Sequence, residues 1–295
     1  MALLSAVALG AVNILDSHLI SKRMPSLRAF LLPVGIIASI YGLVFFCLFP
    51  LPEGTSIYIL LVAVASSIFR TGGIMIMLYI LQREEVSRVV PIVYAYPIFV
   101  AIIAVPLLGE SLYYLEWLAI IIVVAGAVMV SVRRSPSGGA NWLGKPFLLL
   151  FGSSLLLAMT DISSKYVLSY ISFWNLFWLS TFCLTGACLL ISLRPRTFRE
   201  LSGMKQRNSA IGLLVLNEAL AMIGVMLLLR ALQEGPVSLV STITASRPIF
   251  VLIFAIILSR VLPAFLEWQR GRGMLALRFM AIAMIVGGIT IIYLT

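Results

Sequence analysis

The chain has 295 residues, of which 62% are hydrophobic and only 11% charged, whereas soluble domains carry about a quarter charged residues. That balance excludes an ordinary soluble domain and points to a chain whose solvent is largely lipid. The formal net charge of +10 forms no basic stripe on a soluble domain, so a nucleic-acid partner is set aside in favour of loop charges that orient a membrane protein.

Apolar runs of about 20 residues are long enough to cross a bilayer core of about 30 Å as helices. Ten follow one another: Ala2–Ile20, Leu27–Phe49, Ser56–Leu81, Val86–Leu108, Leu112–Val132, Pro146–Ser169, Ser172–Leu193, Ser209–Leu232, Val237–Leu262 and Leu275–Tyr293. Lipid offers no partner to a strand's outer amides, so helices are required. The first run lacks a preceding basic stretch and a small-residue cleavage site, and reads as a retained helix. Turn-forming stretches separate the runs, as in "PLPEGTS" from Pro50 and "RPRTFRELSGMKQRN" from Arg194. No connection is long enough for a soluble domain.

The basic residues sort by side. Seventeen of the 21 Lys and Arg residues fall on the face opposite the termini. The positive-inside rule makes that face cytoplasmic and puts both termini outside. Cys47, Cys183 and Cys188 lie in apolar runs without paired spacing and read as small hydrophobes.

A shift of 151 residues lays the second half on the first. Leu81, Gln82, Val86 and Ser87 fall on Leu232, Gln233, Val237 and Ser238; "PIFV" from Pro97 falls on "PIFV" from Pro248; "LEW" from Leu115 falls on "LEW" from Leu266. Gly73 falls on Gly224. After Trp268 the second copy carries the extra "QRGRGMLALRF". Each copy holds five spans, an odd number, so the copies enter the membrane from opposite faces. The expected fold is therefore an all-α integral membrane protein, ten transmembrane helices as two inverted five-helix repeats: residues 1–132, a linker at 133–145, and residues 146–295. Two copies of opposite orientation can exchange conformations and open a central site to each side in turn.

Ionisable side chains inside spans cost from about 2.5 kcal/mol upward and mark cavities or partners. Asp16, Arg70, Asp161, Glu218 and Arg247 qualify. Arg247 lies about ten residues into the ninth span, roughly 15 Å deep at about 1.5 Å per residue. Its repeat mate is Tyr96, with Tyr94 two residues before. Pro248 and Pro97 follow the pair, and proline bends a span and frees backbone carbonyls. Arg247 is a candidate for binding a substrate carboxylate or phosphate, with Tyr94 and Tyr96 as walls or donors. The alternative is a permanent structural bridge from Arg247 to Glu218. Arg70 is a further binding candidate, or a partner for Asp16. Asn217 precedes Glu218, which is also a candidate proton carrier. Asp16 and Asp161 are related approximately by the repeat and read as solvated helix ends, with ion coupling as the other reading. Trp178 belongs to an interfacial aromatic belt or lines the substrate path. His18 reads as interfacial, and Gly72–Gly73 and Gly287–Gly288 as close-packing sites. Metal-ligand spacing, phosphate loops and nucleophile elbows are absent from the sequence, so neither a cofactor nor an enzyme is expected.

"PIFVAIIAVPLLGESLYYLEWLAIIIVVAGAVMV" from Pro97, with its Leu108-Gly109-Glu110 turn and the small residues Ala125-Gly126-Ala127, resembles the EamA-like branch of the drug/metabolite transporter superfamily. "NILDSHLISKRMPSLRAFLL" from Asn13 is similar to that family's first helix, and "AMTDISSKYVLS" from Ala158 to the matching helix of its second half. The second copy departs from the pattern with Arg260-Val261 in place of Gly-Glu and with its eleven extra residues. The resemblance would put the termini in the cytoplasm, whereas the charge count puts them outside. It implies a secondary transporter of the bacterial inner membrane, an exporter, working by alternating access. The substrate expected is a small polar or zwitterionic metabolite such as an amino acid, with protons as coupling ion and a homodimer as an open option. The alternatives are a carrier of phosphorylated, nucleotide-linked or lipid-linked sugars, and a membrane scaffold or sensor that transports nothing.

Overall fold

The computed structural model describes residues 1–81, 93–131, 145–204, 207–261 and 272–295, and all regular structure among them is helical. In chain order the helices are α1 (Ala2–His18), continued by a π-helical turn over Leu19–Arg23, α2 (Leu27–Leu48), α3 (Ile57–Leu81), α4 (Tyr96–Leu108), α5 (Tyr114–Ser131), α6 (Lys145–Leu168), α7 (Phe173–Ser192), α8 (Pro195–Ser202), α9 (Arg207–Glu234), α10 (Val237–Thr244), α11 (Arg247–Val261) and α12 (Arg272–Leu294). Among the described residues, seven segments are long and apolar enough to cross a membrane: Ala2–Arg23, Leu27–Leu48, Ile57–Ile80, Phe147–Leu168, Phe173–Ser192, Arg207–Glu234 and Val237–Ile257. Three shorter apolar helices, Tyr96–Leu108, Tyr114–Met129 and Phe279–Leu294, stand where the fourth, fifth and tenth spans are expected. The expected start of the fourth span at Val86 and the whole 133–145 linker except Lys145 lie outside the described residues.

Local chemistry sets the ends. Ser26 and Ser172 cap α2 and α7, each hydroxyl accepting from the backbone amide three residues on, at 3.2 and 3.3 Å, which satisfies an orphan donor of the first turn. Gly109 stops α4 in the left-handed conformation, φ 67°, where a side chain would be strained. Outward positions such as Ile40, Leu43, Leu61 and Leu190 leave large apolar side chains exposed, as a lipid solvent permits.

Two features depart from the sequence reading. The ninth span is not continuous: α10 ends at Thr244 and α11 begins at Arg247, with a turn at Ala245–Ser246. Proline at position 248 explains the break, because it lacks the amide that would bond back into the preceding turn. The matching break is at Ala95, just before Tyr96-Pro97. Second, the stretch after Arg194 contains the short helix α8. Pro195 opens it and Arg196 pairs with Glu200 one turn on, at 3.1 Å; together these make helix out of what composition presents as loop.

The main packing joins helices of different halves: α2 with α7, α5 with α12, α3 with α6, α1 with α9, α1 with α11, and α4 with α6. Several contacts recur at matched positions. A Cβ on Gly126 would stand 2.7 Å from Ile285 and 2.8 Å from the Ala281 carbonyl, and one on Gly288 would stand 2.6 Å from Val123 and 3.1 Å from the Ala119 carbonyl. Only glycine lets α5 and α12 approach so closely. These positions match once the eleven extra residues are added to the 151-residue shift. Likewise the Ser5 hydroxyl donates to the Gly224 carbonyl at 2.7 Å, and the Ser153 hydroxyl donates to the Gly73 carbonyl at 2.8 Å.

Candidate functional site

The breaks in the fourth and ninth spans bring Tyr94, Tyr96 and Arg247 to one level between the halves. Arg247 opens α11 and is half-buried. Its Nε is buried without a hydrogen-bond partner, and among the described residues its guanidinium enters no ion pair. It faces Tyr94, Tyr96, Asp161 and the second guanidinium, Arg70 on α3. Arg70 in turn faces Asp161, Tyr41 and Tyr96. Two guanidiniums thus share one region with a single carboxylate, and a guanidinium is built to bind carboxylate or phosphate with two parallel donors.

Asp161 is that carboxylate. It is 7% exposed, accepts the Ser241 hydroxyl at 2.7 Å, and lies within reach of the Tyr96 hydroxyl. The reading of Asp161 as a solvated helix end is therefore corrected: α6 crosses α4 and α10 at this point and takes the side chain inside. Tyr94 accepts a hydrogen bond from Asn13 of α1 through its hydroxyl at 2.8 Å. Asn13 and Asp161 occupy matched places on α1 and α6.

Two expected ion pairs are not formed among the described residues. Glu218, 6% exposed, faces Asp16, Tyr41 and Cys188, so Arg247 has Asp161 as its acidic neighbour instead. Asp16 accepts from the Asn217 side-chain amide at 2.8 Å and is not the partner of Arg70. The cause is register. Ser5 matches Ser153, and Asp16 matches Ser164, at a shift three residues shorter than the 151 that relates the later helices. Three residues turn an α-helix by about 300°, which carries the acidic side chain to another face. Trp178 is apart from this cluster. It is 4% exposed, donates through its indole to the Phe49 carbonyl at 3.1 Å, and meets Phe46 edge-on with centroids 5.0 Å apart.

Asn13, Ser241 and Tyr41 were not singled out by sequence. A signal existed for two of them. Asn13 is the positional mate of Asp161, and Ser241 lies in the hydroxyl-rich "VSLVSTITAS" from Val237, of which Ser238, Ser241, Thr242 and Thr244 are fully buried. Glu110, read only as part of a turn, caps α10: its carboxylate accepts from the amides of Val237 and Ser238 and from the Ser238 hydroxyl at 2.6 Å. A carboxylate at a helix start is favoured by the orphan amides and the helix dipole. The cap fixes the helix that carries Ser241 to Asp161.

Among known proteins, a solved structure described only as "Crystal structure of protein" superposes with a TM-score of 0.71 at 16% identity, over 99% of this chain and 95% of that one; at that identity the likeness is one of fold. No curated protein matches the chain. The EamA-like transporter family model matches residues 1–132, the part that contributes α1 to α5, Asn13, Asp16, Arg70, Tyr94 and Tyr96. Over those residues, somewhat less than half of the chain, the sequence is similar to the EamA-like transporter family, which belongs to the drug/metabolite transporter superfamily.

Proposed function

We propose that the protein is a secondary transporter that moves a small zwitterionic metabolite, of amino-acid type, by alternating access. The observation that carries this reading is the grouping of Arg247 and Arg70, without ion-pair partners among the described residues, beside the buried carboxylate of Asp161. A zwitterion needs one anion-binding and one cation-binding group a few ångströms apart. Arg247 with Arg70 would take the carboxylate, Asp161 with Ser241 the ammonium, and Tyr94 and Tyr96 would form the walls. Empty, the site leaves charges poorly compensated; occupied, it satisfies them. That difference is what lets a ligand shift a conformational equilibrium.

The matched contacts of the two halves support ten spans in two inverted repeats, residues 1–132 and 146–295. Counting the three shorter apolar helices with the seven long ones gives that number. An odd count of spans per half inverts the second half, and exchange of conformations between halves is the means of alternation. The loop charges favour termini outside the cytoplasm, and the similarity of residues 1–132 to the EamA-like transporter family favours export through a plasma membrane of inner-membrane type.

Two guanidiniums at one place also favour a second reading, a doubly charged phosphate ester as substrate. Uptake into proteoliposomes separates the two. Labelled amino acids as a mixture are expected to accumulate by counterflow, and a sugar phosphate is not. Counterflow with the sugar phosphate alone replaces the first reading by the second; counterflow with neither removes both.

A further inference from the structure

We infer that Asp16 and Glu218, joined through Asn217, form a proton-binding site that couples transport to a pH gradient. The inference rests on the transporter reading above. Asp16 is on α1, in the first half; Asn217 and Glu218 are on α9, in the second. The Asn217 amide nitrogen donates to Asp16 at 2.8 Å, and Glu218 lies within hydrogen-bond reach of the same amide. Asn217 is 1% exposed, and its carbonyl oxygen is buried with no hydrogen-bond partner.

That orphan acceptor points to the ligand. A buried acceptor left unpaired is costly, and both neighbours of Asn217 are acids. As carboxylates they offer only acceptors. One proton added to the pair changes one carboxylate into a carboxyl, whose O–H supplies, once the Asn217 amide turns over, the donor that its oxygen lacks. The pair then carries one negative charge instead of two. Two carboxylates close together do not readily both ionise, and no described cation balances them. Around the pair, α2 presents Tyr41 and α7 presents Cys188. Arg70 of α3 faces Tyr41 and Asp161, and Asp161 of α6 faces the two arginines. Beyond Asp16, the π-helical turn places Lys22 and Arg23 near His18. The pair thus meets phenol and thiol groups, and the guanidiniums face Asp161 instead.

The location makes the proton consequential. α1 and α9 belong to different halves, so the Asp16–Asn217 bond spans the surface along which the halves move. A conformation that separates them exposes the carboxyl to water on one side; a conformation that joins them favours the protonated pair. A site whose proton affinity differs between two states couples the gradient to their populations.

Proteoliposomes test this with a mixture of labelled amino acids, measured by counterflow and by uptake under an imposed pH gradient. For one proton per cycle, a one-unit gradient raises the accumulation ratio by up to about tenfold. The gradient-driven to gradient-free ratio is expected to fall to one in Glu218→Gln and in Asp16→Asn, each retaining counterflow, and to persist in Ser66→Ala. Counterflow in the wild type with no response to the pH gradient overturns proton coupling and leaves the transporter reading intact. A response kept in both variants, or one that follows sodium instead, also overturns it. Absence of counterflow in the wild type overturns the transporter reading and this inference with it.

Discussion

The α1–α9 and α3–α6 pairs cross in the same way, through a serine hydroxyl on one helix bonded to a glycine carbonyl on the other, yet they carry opposite chemistry. At α1–α9, Asp16 meets Asn217 and Glu218. At the matched places on α3–α6, Ser164 meets Ser66 at 2.9 Å, and Ser67 stands where Glu218 would be. Charge of the other sign appears one turn away: Arg70 is on α3, and its mate on α9 is Ala221. The two crossings therefore share their packing and differ in charge: two acids meet at α1–α9, whereas at α3–α6 a guanidinium faces the single acid Asp161. The difference separates what the packing uses, the serine and glycine, from what the proposed function would use, the acids and arginines.

The largest effects are expected where the arginines are removed. Arg247→Ala and Arg70→Ala each delete a charged donor worth about 1.5–3 kcal/mol, so amino-acid binding measured by thermal shift is expected to weaken by roughly 10- to 100-fold. Arg247→Lys should recover only part, since a point charge does not reproduce the bidentate fork. The reverse swap, Ala221→Arg, should not rescue Arg70→Ala, because it puts the cation beside the acids of the other crossing. Rescue would mean that the two crossings are interchangeable and that the division of charge is incidental.

Next come the shared elements. A Cβ at Gly224 would lie 2.8 Å from Leu9, and one at Gly73 would lie 3.1 Å from Leu157. Gly224→Val and Gly73→Val should each destabilise the protein by about 1–3 kcal/mol through overpacking, with similar losses of melting temperature in detergent. A large loss from one and none from the other would end the equivalence of the crossings.

Glu110→Ala acts on one side only. It removes a helix cap worth about 1 kcal/mol and loosens α10, which brings Ser241 to Asp161. Affinity for amino acids should fall severalfold while the response to a pH gradient remains. Loss of the gradient response instead would show that the two polar groups are not separable.

The sequence makes the frame of this comparison plain and hides its content. Ten apolar runs and the 151-residue shift announce helices and a duplication, because both are periodic in one dimension. The proline pair and the Arg247–Tyr96 match locate the breaks. What cannot be read along the chain is which acid meets which cation. The three-residue difference in register on α1 and α6 sets Asn13 against Asp161, and it places Asp16 with Asn217 and Glu218 instead of Arg70. A candidate list by depth names polar residues inside the bundle but not their partners, because depth counts residues along an axis and pairing depends on the angle around it. Ser66 and Ser164 escape notice altogether, since serine in an apolar run has no sign that distinguishes a partner on another helix from its own backbone.

That ambiguity of serine leads to the smallest expected effect. Ser66 and Ser164 are 1% and 3% exposed, and their hydroxyls meet at 2.9 Å, with Ser66 also directed to the Thr160 carbonyl at 3.2 Å. In Ser66→Ala the Ser164 hydroxyl can turn to the carbonyl four residues back on its own helix, as Ser67 does with Ala63 at 2.7 Å, so the loss should stay near 0.5–1.5 kcal/mol. The double variant should cost little more than either single one, because removing both partners leaves nothing unpaired. Asp16→Ala at the matched place removes one acceptor of the Asn217 amide and leaves it Glu218 alone, and no backbone acceptor on α9 is free to take it in mid-helix. The double-mutant cycle across Ser66 and Ser164 should therefore show weak coupling, and the cycle across Asp16 and Asn217 a stronger one. Equal coupling energies in the two cycles would mean that the acidic crossing, too, is only packing.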